Sequence, residues 1–187
     1  MRRPPTNAPP TIYLMGMMGS GKSTLGRRLA RELDRPFIDL DKRIERRAGF
    51  EVPDIFQRYG ESYFRDLESA ALAELNAGPP SVVALGGGTP ERATNRRMLR
   101  LHGCVVYLRA RPPTLARRVA DETDRPLLRD ADDPQSILQA LLARREPWYE
   151  AIADVAVDNE GDPSDALRRL WARLSEKGWL DHGDDPG

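Results

Sequence analysis

The chain has 187 residues, of which 29 are basic and 29 acidic, with 40% hydrophobic residues and a single cysteine. That length suits one compact domain with a real core. Zero net charge gives no global field to hold nucleic acid or an anionic membrane, so any phosphate recognition must be local. Cys104 alone excludes an internal disulfide, and with only His102 and His182 beside it a Cys/His zinc site is excluded as well.

Residues 1–10 are proline-rich, with no apolar run after Arg2 and Arg3. They read as a disordered arm rather than a signal peptide. No stretch approaches the ~20 apolar residues of a membrane span, so a soluble cytoplasmic protein is the expectation. Residues 12–15 form a short apolar strand running into glycines. Leu25, Leu29 and Leu33 repeat at four-residue spacing and give a helix with one buried stripe. Residues 36–40 make a second strand. Phe64, Leu67, Ala71 and Leu75 line one helix face. Residues 81–85 and 104–108 are strands three and four, each continuously apolar. Ile137, Leu138, Leu141 and Leu142 mark a further helix, 154–157 a last short strand, and Leu167, Leu170, Trp171 and Leu174 a closing helix. Residues 11–177 thus form a single domain, and 178–187 read as a flexible acidic tail.

Strand–helix alternation with continuously apolar strands predicts a parallel sheet covered by helices on both faces. Ligands of such sheets bind beyond the carboxyl ends of the strands. Two strands here end in glycine clusters and one ends in Asp39-Leu40-Asp41, so these features converge on one crevice.

Residues 16–23, followed by Thr24, match G-x-x-x-x-G-K-[ST]. Glycines let the backbone curl so that N–H groups, including those of Gly19, Ser20, Gly21 and Thr24, point at phosphate oxygens. The following helix adds its positive end. Lys22 reaches the β- and γ-phosphates of a bound nucleotide, and the Ser23 hydroxyl suits Mg²⁺. The bland alternative is a glycine-rich turn, but the motif follows a strand and opens a helix, as its mechanism requires.

Asp39 and Asp41 point the same way if strand geometry persists. One carboxylate can then hold the water shell of Mg²⁺ and the other can orient an acceptor hydroxyl and take its proton. Equally, Asp41 can simply cap a helix starting at Lys42. Gly86-Gly87-Gly88 lets backbone approach a ligand, or makes an ordinary turn. Arg65, with Glu61 four residues before and Glu68 three after, is explained by a surface ion pair. Arg145 continues the Leu138–Leu141 stripe two residues before Pro147, where the helix should end or kink, and so projects into a cleft; Arg144 competes on spacing. Residues 121–134 have the polarity and length of a mobile lid around Arg125.

In this order and spacing, Gly16–Ser23, Asp39-Leu40-Asp41, Phe64-Arg65, the glycine triplet, Arg125-Pro126-Leu127-Leu128 and Arg145-Glu146-Pro147-Trp148-Tyr149 resemble shikimate kinase. The resemblance implies a three-layer α/β/α fold of the P-loop, nucleoside-monophosphate-kinase-like type, with parallel strand order 2-3-1-4-5. It implies transfer from ATP, with Mg²⁺, to the 3-hydroxyl of shikimate on the route to chorismate and aromatic amino acids, by a monomer. Asp41 then matches the residue that binds the acceptor hydroxyls and acts as base, and Asp39 the partner of Mg²⁺ with Ser23. Arg65 and Arg145 match the grip on the acceptor carboxylate. Gly87 and Gly88 approach the ring hydroxyls, and Phe56 and Phe64 wall the pocket. Arg125 matches a lid arginine at the phosphates and Arg118 a residue beside adenine. Residues 34–61 hold much of the acceptor region. The acidic stretch 159–163 departs from relatives that carry a basic residue there. A kinase of another small hydroxylated acid, such as gluconate, is the first alternative. A non-catalytic nucleotide or shikimate sensor is the second.

Overall fold

The computed structural model describes residues 10–120 and 134–180. Five strands, β1 (Thr11–Met15), β2 (Phe37–Asp39), β3 (Val82–Ala84), β4 (Gly103–Arg109) and β5 (Val155–Asp158), pair in parallel in the order β2-β3-β1-β4-β5. Successive side chains of a strand leave opposite faces. Tyr13, Met15, Val83, Val105 and Tyr107 enter one core, while Ile12, Leu14, Val82, Cys104, Val106 and Leu108 enter the other. This double burial explains why the strands read as unbroken apolar runs.

Among the described residues seven helices cover the sheet: α1 (Lys22–Glu32), α2 (Leu40–Ala48), α3 (Val52–Asn76), α4 (Ala93–His102), α5 (Pro112–Ala120), α6 (Pro134–Ile152) and α7 (Pro163–Glu176). Leu25 and Leu29 of α1 and Leu167, Leu170 and Leu174 of α7 pack in the core that holds Cys104. Ile44, Leu72, Leu99, Leu138 and Tyr149 bring α2, α3, α4 and α6 onto the opposite core. The result is the expected three-layer α/β/α architecture with the expected strand order.

Four local features differ from the sequence reading. Strand geometry does not persist from Asp39 to Asp41, because Leu40 turns into its core and already begins α2. The helix does not end before Pro147 but runs on to Ile152. Pro147 and Ala143, whose carbonyl loses its partner to the proline, both lie on the exposed face, where water serves the orphaned oxygen. Helices α4 and α5 went unmarked: each sends only a few side chains into a core, among them Leu99 from α4 and Leu115 and Val119 from α5. Trp179 and Leu180 are buried, so packed chain extends past the expected boundary at 177. The segment 34–61 comprises β2, α2 and the first part of α3, which breaks at Gly60 (φ 83°). Residues 1–9 of the arm expected at 1–10, residues 121–133 of the lid expected at 121–134 and residues 181–187 of the tail lie outside the described residues.

Candidate active site

The carboxyl ends of β1, β2 and β3 meet at one crevice. After Met15 the chain turns through Gly16 and Gly19 to Gly21, which caps α1 with φ 90°, a conformation that side chains rarely adopt. A Cβ on Gly16 would stand 2.6 Å from the carbonyl oxygen of Leu108, so the loop passes too close to β4 for any other residue. This wrap delivers the first N–H groups of α1, which have no carbonyl partner inside the helix, to the concavity of the loop. Lys22 Nζ folds back over it, donating to the carbonyls of Gly16 (3.0 Å) and Met17 (2.8 Å). Ser23 Oγ donates to Asp39 Oδ2 at 2.8 Å and joins the start of α1 to the end of β2. Ser20 is buried beneath the loop, and Thr24 is exposed on the first turn of α1.

At the loop's other edge, Arg118 donates to the carbonyls of Gly19 (3.3 Å) and Gly161 (3.4 Å), bridging the cradle and the β5–α7 connection. Buried Asn159 donates to the Ser20 carbonyl at 2.8 Å from the same connection. Its acidic neighbour Glu160 is turned away, accepting from Thr114 Oγ1 at 2.5 Å and from the Arg111 amide.

Asp39 does double duty: Oδ2 takes the Ser23 hydroxyl while Oδ1 accepts from the Lys42 amide at 3.3 Å. The helix cap that spacing alone offered to Asp41 is therefore made by Asp39, and Asp41 lies one residue inside the helix. Asp41 is partly exposed as a residue, yet its Oδ1 is buried with no hydrogen-bond partner among the described residues. A Cβ on Gly86 would meet that oxygen at 2.7 Å and Glu68 Oε1 at 2.8 Å. Burial first, then the charges of Glu68 and Asp39, push the Asp41 carboxyl up to about 7, against the opposing pull of Lys22.

Arg65 does pair with Glu61 and Glu68, but of its two partners only Glu61 lies at the surface. The Arg65 side chain is 10% exposed and that of Glu68 fully buried. Nη1 donates to Glu68 Oε2 at 2.6 Å and Nη2 to Glu61 Oε1 at 3.0 Å. Glu68 Oε1 also accepts from Thr89 Oγ1 at 2.6 Å, which ties α3 to the turn after the glycine triplet. The Arg65 guanidinium fills the space a side chain on Gly88 would need. Arg145 is buried too, with Nη1 3.4 Å from where a Cβ on Gly87 would stand, and Tyr149 donates its hydroxyl to the Gly87 carbonyl at 2.6 Å. Arg144, one residue earlier, is exposed. Phe64 is buried and Phe56 half-buried, with ring centroids 4.8 Å apart.

The fold thus gathers Lys22, Ser23, Asp39 and Asp41 around one strand end, and Arg65 and Arg145 around the adjacent triplet. Sequence reasoning gave no role to Glu91, Glu68's bond to Thr89, Tyr149 or Asn159. Only Tyr149 carried a signal, its i+4 spacing from Arg145.

A family model described as "Shikimate kinase" matches residues 18–175. The chain belongs to the shikimate kinase family. A shikimate kinase of Pseudomonas syringae pv. syringae (strain B728a) is 48% identical over 166 residues, covering 88% of this chain and 96% of that one. A solved shikimate kinase from Acinetobacter baumannii, in complex with shikimate, superposes with a TM-score of 0.84 at 38% identity over 92% of this chain and 96% of its own. A gluconokinase from Sinorhizobium meliloti 1021 covers 94% of both chains but reaches only a TM-score of 0.58 at 25% identity. The shikimate kinase frame is therefore the better fit along the whole chain, and the chain is a kinase that transfers a phosphoryl group to a hydroxyl group.

Proposed function

We propose that the chain phosphorylates the 3-hydroxyl of shikimate from ATP, giving shikimate 3-phosphate and ADP on the route to chorismate. The observation that carries this reading is the meeting, beside one glycine triplet, of a phosphate loop, a carboxyl with a raised pKa and two buried arginines. A triphosphate, a reacting hydroxyl and a carboxylate are the three groups such a site accommodates. The backbone of Gly19 to Thr24 holds the phosphates, and Lys22 turns from the loop carbonyls to the β- and γ-phosphates. Arg118 flanks the base, and Arg125, which lies outside the described residues, is assigned the role of stabilising charge on the transferring phosphoryl group.

Asp41 orients the acceptor hydroxyl through its carboxylate and takes its proton; a pKa near neutrality suits a general base at physiological pH. Arg65 and Arg145 grip the acceptor's carboxylate, for which a planar guanidinium fork is apt. The backbone of Gly87 and Gly88 approaches the ring hydroxyls, and Phe56 and Phe64 close the apolar side.

The residues present fit Mg²⁺. The hydroxyl of Ser23 and the carboxylate of Asp39 lie 2.8 Å apart, an oxygen pair for an ion that keeps several waters and needs only one or two protein groups. Among the described residues no group of three or more His, Cys, Asp or Glu is placed to hold a metal, so phosphate and water oxygens must complete the shell. Held by Ser23 and Asp39, the ion would supply positive charge to offset the negative charge that develops on the transferring phosphoryl group. Action as a monomer in the cytoplasm is part of the same proposal.

The test is ADP release coupled to NADH oxidation, with Mg²⁺–ATP and shikimate, gluconate or no acceptor. Turnover with shikimate alone is expected. Turnover with gluconate instead would keep the phosphate cradle and discard the acceptor assignments.

A further inference from the structure

We infer that Glu91 is a positioning residue for the acceptor site: it holds Arg145 by its Nε edge and so keeps the guanidinium turned toward Gly87. The inference rests on the reading that Arg65 and Arg145 grip the acceptor carboxylate. Glu91 ends the short 3-10 turn Thr89–Glu91 that follows the glycine triplet, and its amide donates to the Gly88 carbonyl at 2.9 Å. Its backbone is therefore fixed to the same triplet that lines the site.

From there the side chain reaches α6. Oε1 accepts from Arg145 Nε at 2.8 Å, and both carboxylate oxygens lie 3.1 Å from Arg144 Nη2. Arg65 Nη2 is 3.9 Å from Oε1. Burial alone would raise the Glu91 carboxyl, but Arg145 first, then Arg144 and Arg65, hold it below the ordinary carboxylate range. It is therefore charged at neutral pH.

Two physical needs are met together. Arg65 and Arg145 are buried cations converging on one triplet, and each requires a countercharge. Glu68 and Glu61 serve Arg65, whereas among the described contacts Glu91 serves Arg145. The second need is direction. A guanidinium can bind a carboxylate through its two terminal nitrogens or through Nε and one terminal nitrogen. Glu91 takes Nε, which leaves Nη1 on the Gly87 side, 3.4 Å from the position of a Cβ there. A resident carboxylate that competed with the acceptor would instead lie on that Gly87 side.

The experiment compares Glu91→Ala, Glu91→Gln and Glu91→Asp in the full chain by steady-state kinetics with shikimate and ATP varied in turn. Glu91→Ala is expected to raise the KM for shikimate about tenfold, the scale of one charged hydrogen bond, with kcat and the KM for ATP changed by less than about twofold. Glu91→Gln, which keeps the volume and one acceptor oxygen, should fall between Ala and the parent. Glu91→Asp should recover part of the loss. In an Arg145→Ala background the Glu91→Ala effect should vanish, as it must if Glu91 acts through that arginine. A fall in the KM for shikimate would make Glu91 a competitor and overturn the inference. An unchanged KM in both Ala and Gln variants, or equal losses in kcat and both KM values, would overturn it as well. The controls separate the two readings. If Arg145→Ala itself leaves the KM for shikimate unchanged, the carboxylate-grip reading fails; if Arg145→Ala raises it while the Glu91 variants are silent, only the positioning role fails.

Discussion

The phosphate cradle and the acceptor site sit side by side at the strand ends but are made of different material. The cradle is eight consecutive residues that present mainly backbone, shaped by glycines whose side chains would strike β4, α5 or Asn159. The proposed acceptor site joins side chains of Asp41, Arg65 and Arg145 to the backbone of the triplet, held by buried polar contacts among α3, α6 and the turn at Thr89–Glu91. A backbone site tolerates much sequence change around it but none in its glycines. A side-chain site depends on partners far along the chain, so its weak points include residues that never touch the substrate.

Asp41 sits where the two halves meet and should give the largest effect. Asp41→Asn is expected to lower kcat by about 10²–10⁴, the range for loss of a general base. In the parent, kcat/KM should rise with pH through a limb near 7. The variant should lack that limb, and a limb that persists in it would place the base elsewhere. Stability carries the opposite sign. The folded state keeps the Asp41 proton up to about pH 7, while an unfolded Asp releases it near 3.9, so the folded state binds more protons between these values. This contribution is full below pH ~4 and is lost as pH rises through 7. Asp41→Asn should therefore raise Tm by on the order of 10 °C at pH 8 and leave it unchanged at pH 3.5.

Next in size is Lys22→Met, a purely cradle-side change. We expect kcat to fall about 10²–10³-fold, with Tm and the KM for shikimate little altered. Near-normal turnover would remove the lysine from the phosphates. On the acceptor side, Arg65→Ala should raise the KM for shikimate about 50-fold and spare that for ATP. It also strands fully buried Glu68, at about 3–5 kcal/mol, so thermal melting should drop clearly. Equal rises in both KM values would contradict a role confined to the acceptor. The smallest effect sharpens the contrast between buried and exposed pairs: Glu74, which accepts from Arg47 and pairs with Arg43 at 3.5 Å on the surface, should shift Tm by less than about 1 °C as Gln.

The same division governs what the sequence disclosed. The cradle was legible because its whole mechanism lies in one short pattern between a strand and a helix. The layered sheet was legible because doubly buried strands must be apolar throughout. Arg65 was harder: its neighbours Glu61 and Glu68 look like helix-surface partners, and nothing local says that Glu68 is buried. Arg145 stood out through the apolar stripe, although the expected helix end at Pro147 was not there. Glu91 could not be seen, since its partner lies 54 residues away and its own surroundings are an ordinary proline turn. The Asp39–Asp41 pair misled on geometry because the apolar residue between them starts a helix instead of prolonging a strand.

Cys104 has a practical consequence. It lies in β4 beside Ile12 of β1, wholly buried, and burial, then the charge of Asp154, lifts its thiol well above the ordinary range. As the chain's single sulfhydryl it is a clock for breathing of the central sheet. An alkylating reagent can mark only molecules in which the core between the sheet, α1 and α7 has opened, so labelling followed by mass spectrometry counts openings directly. A nucleotide seated on the loop that follows β1 should slow the clock by the factor its occupancy dictates, which turns one buried sulfur into a binding assay that needs no turnover.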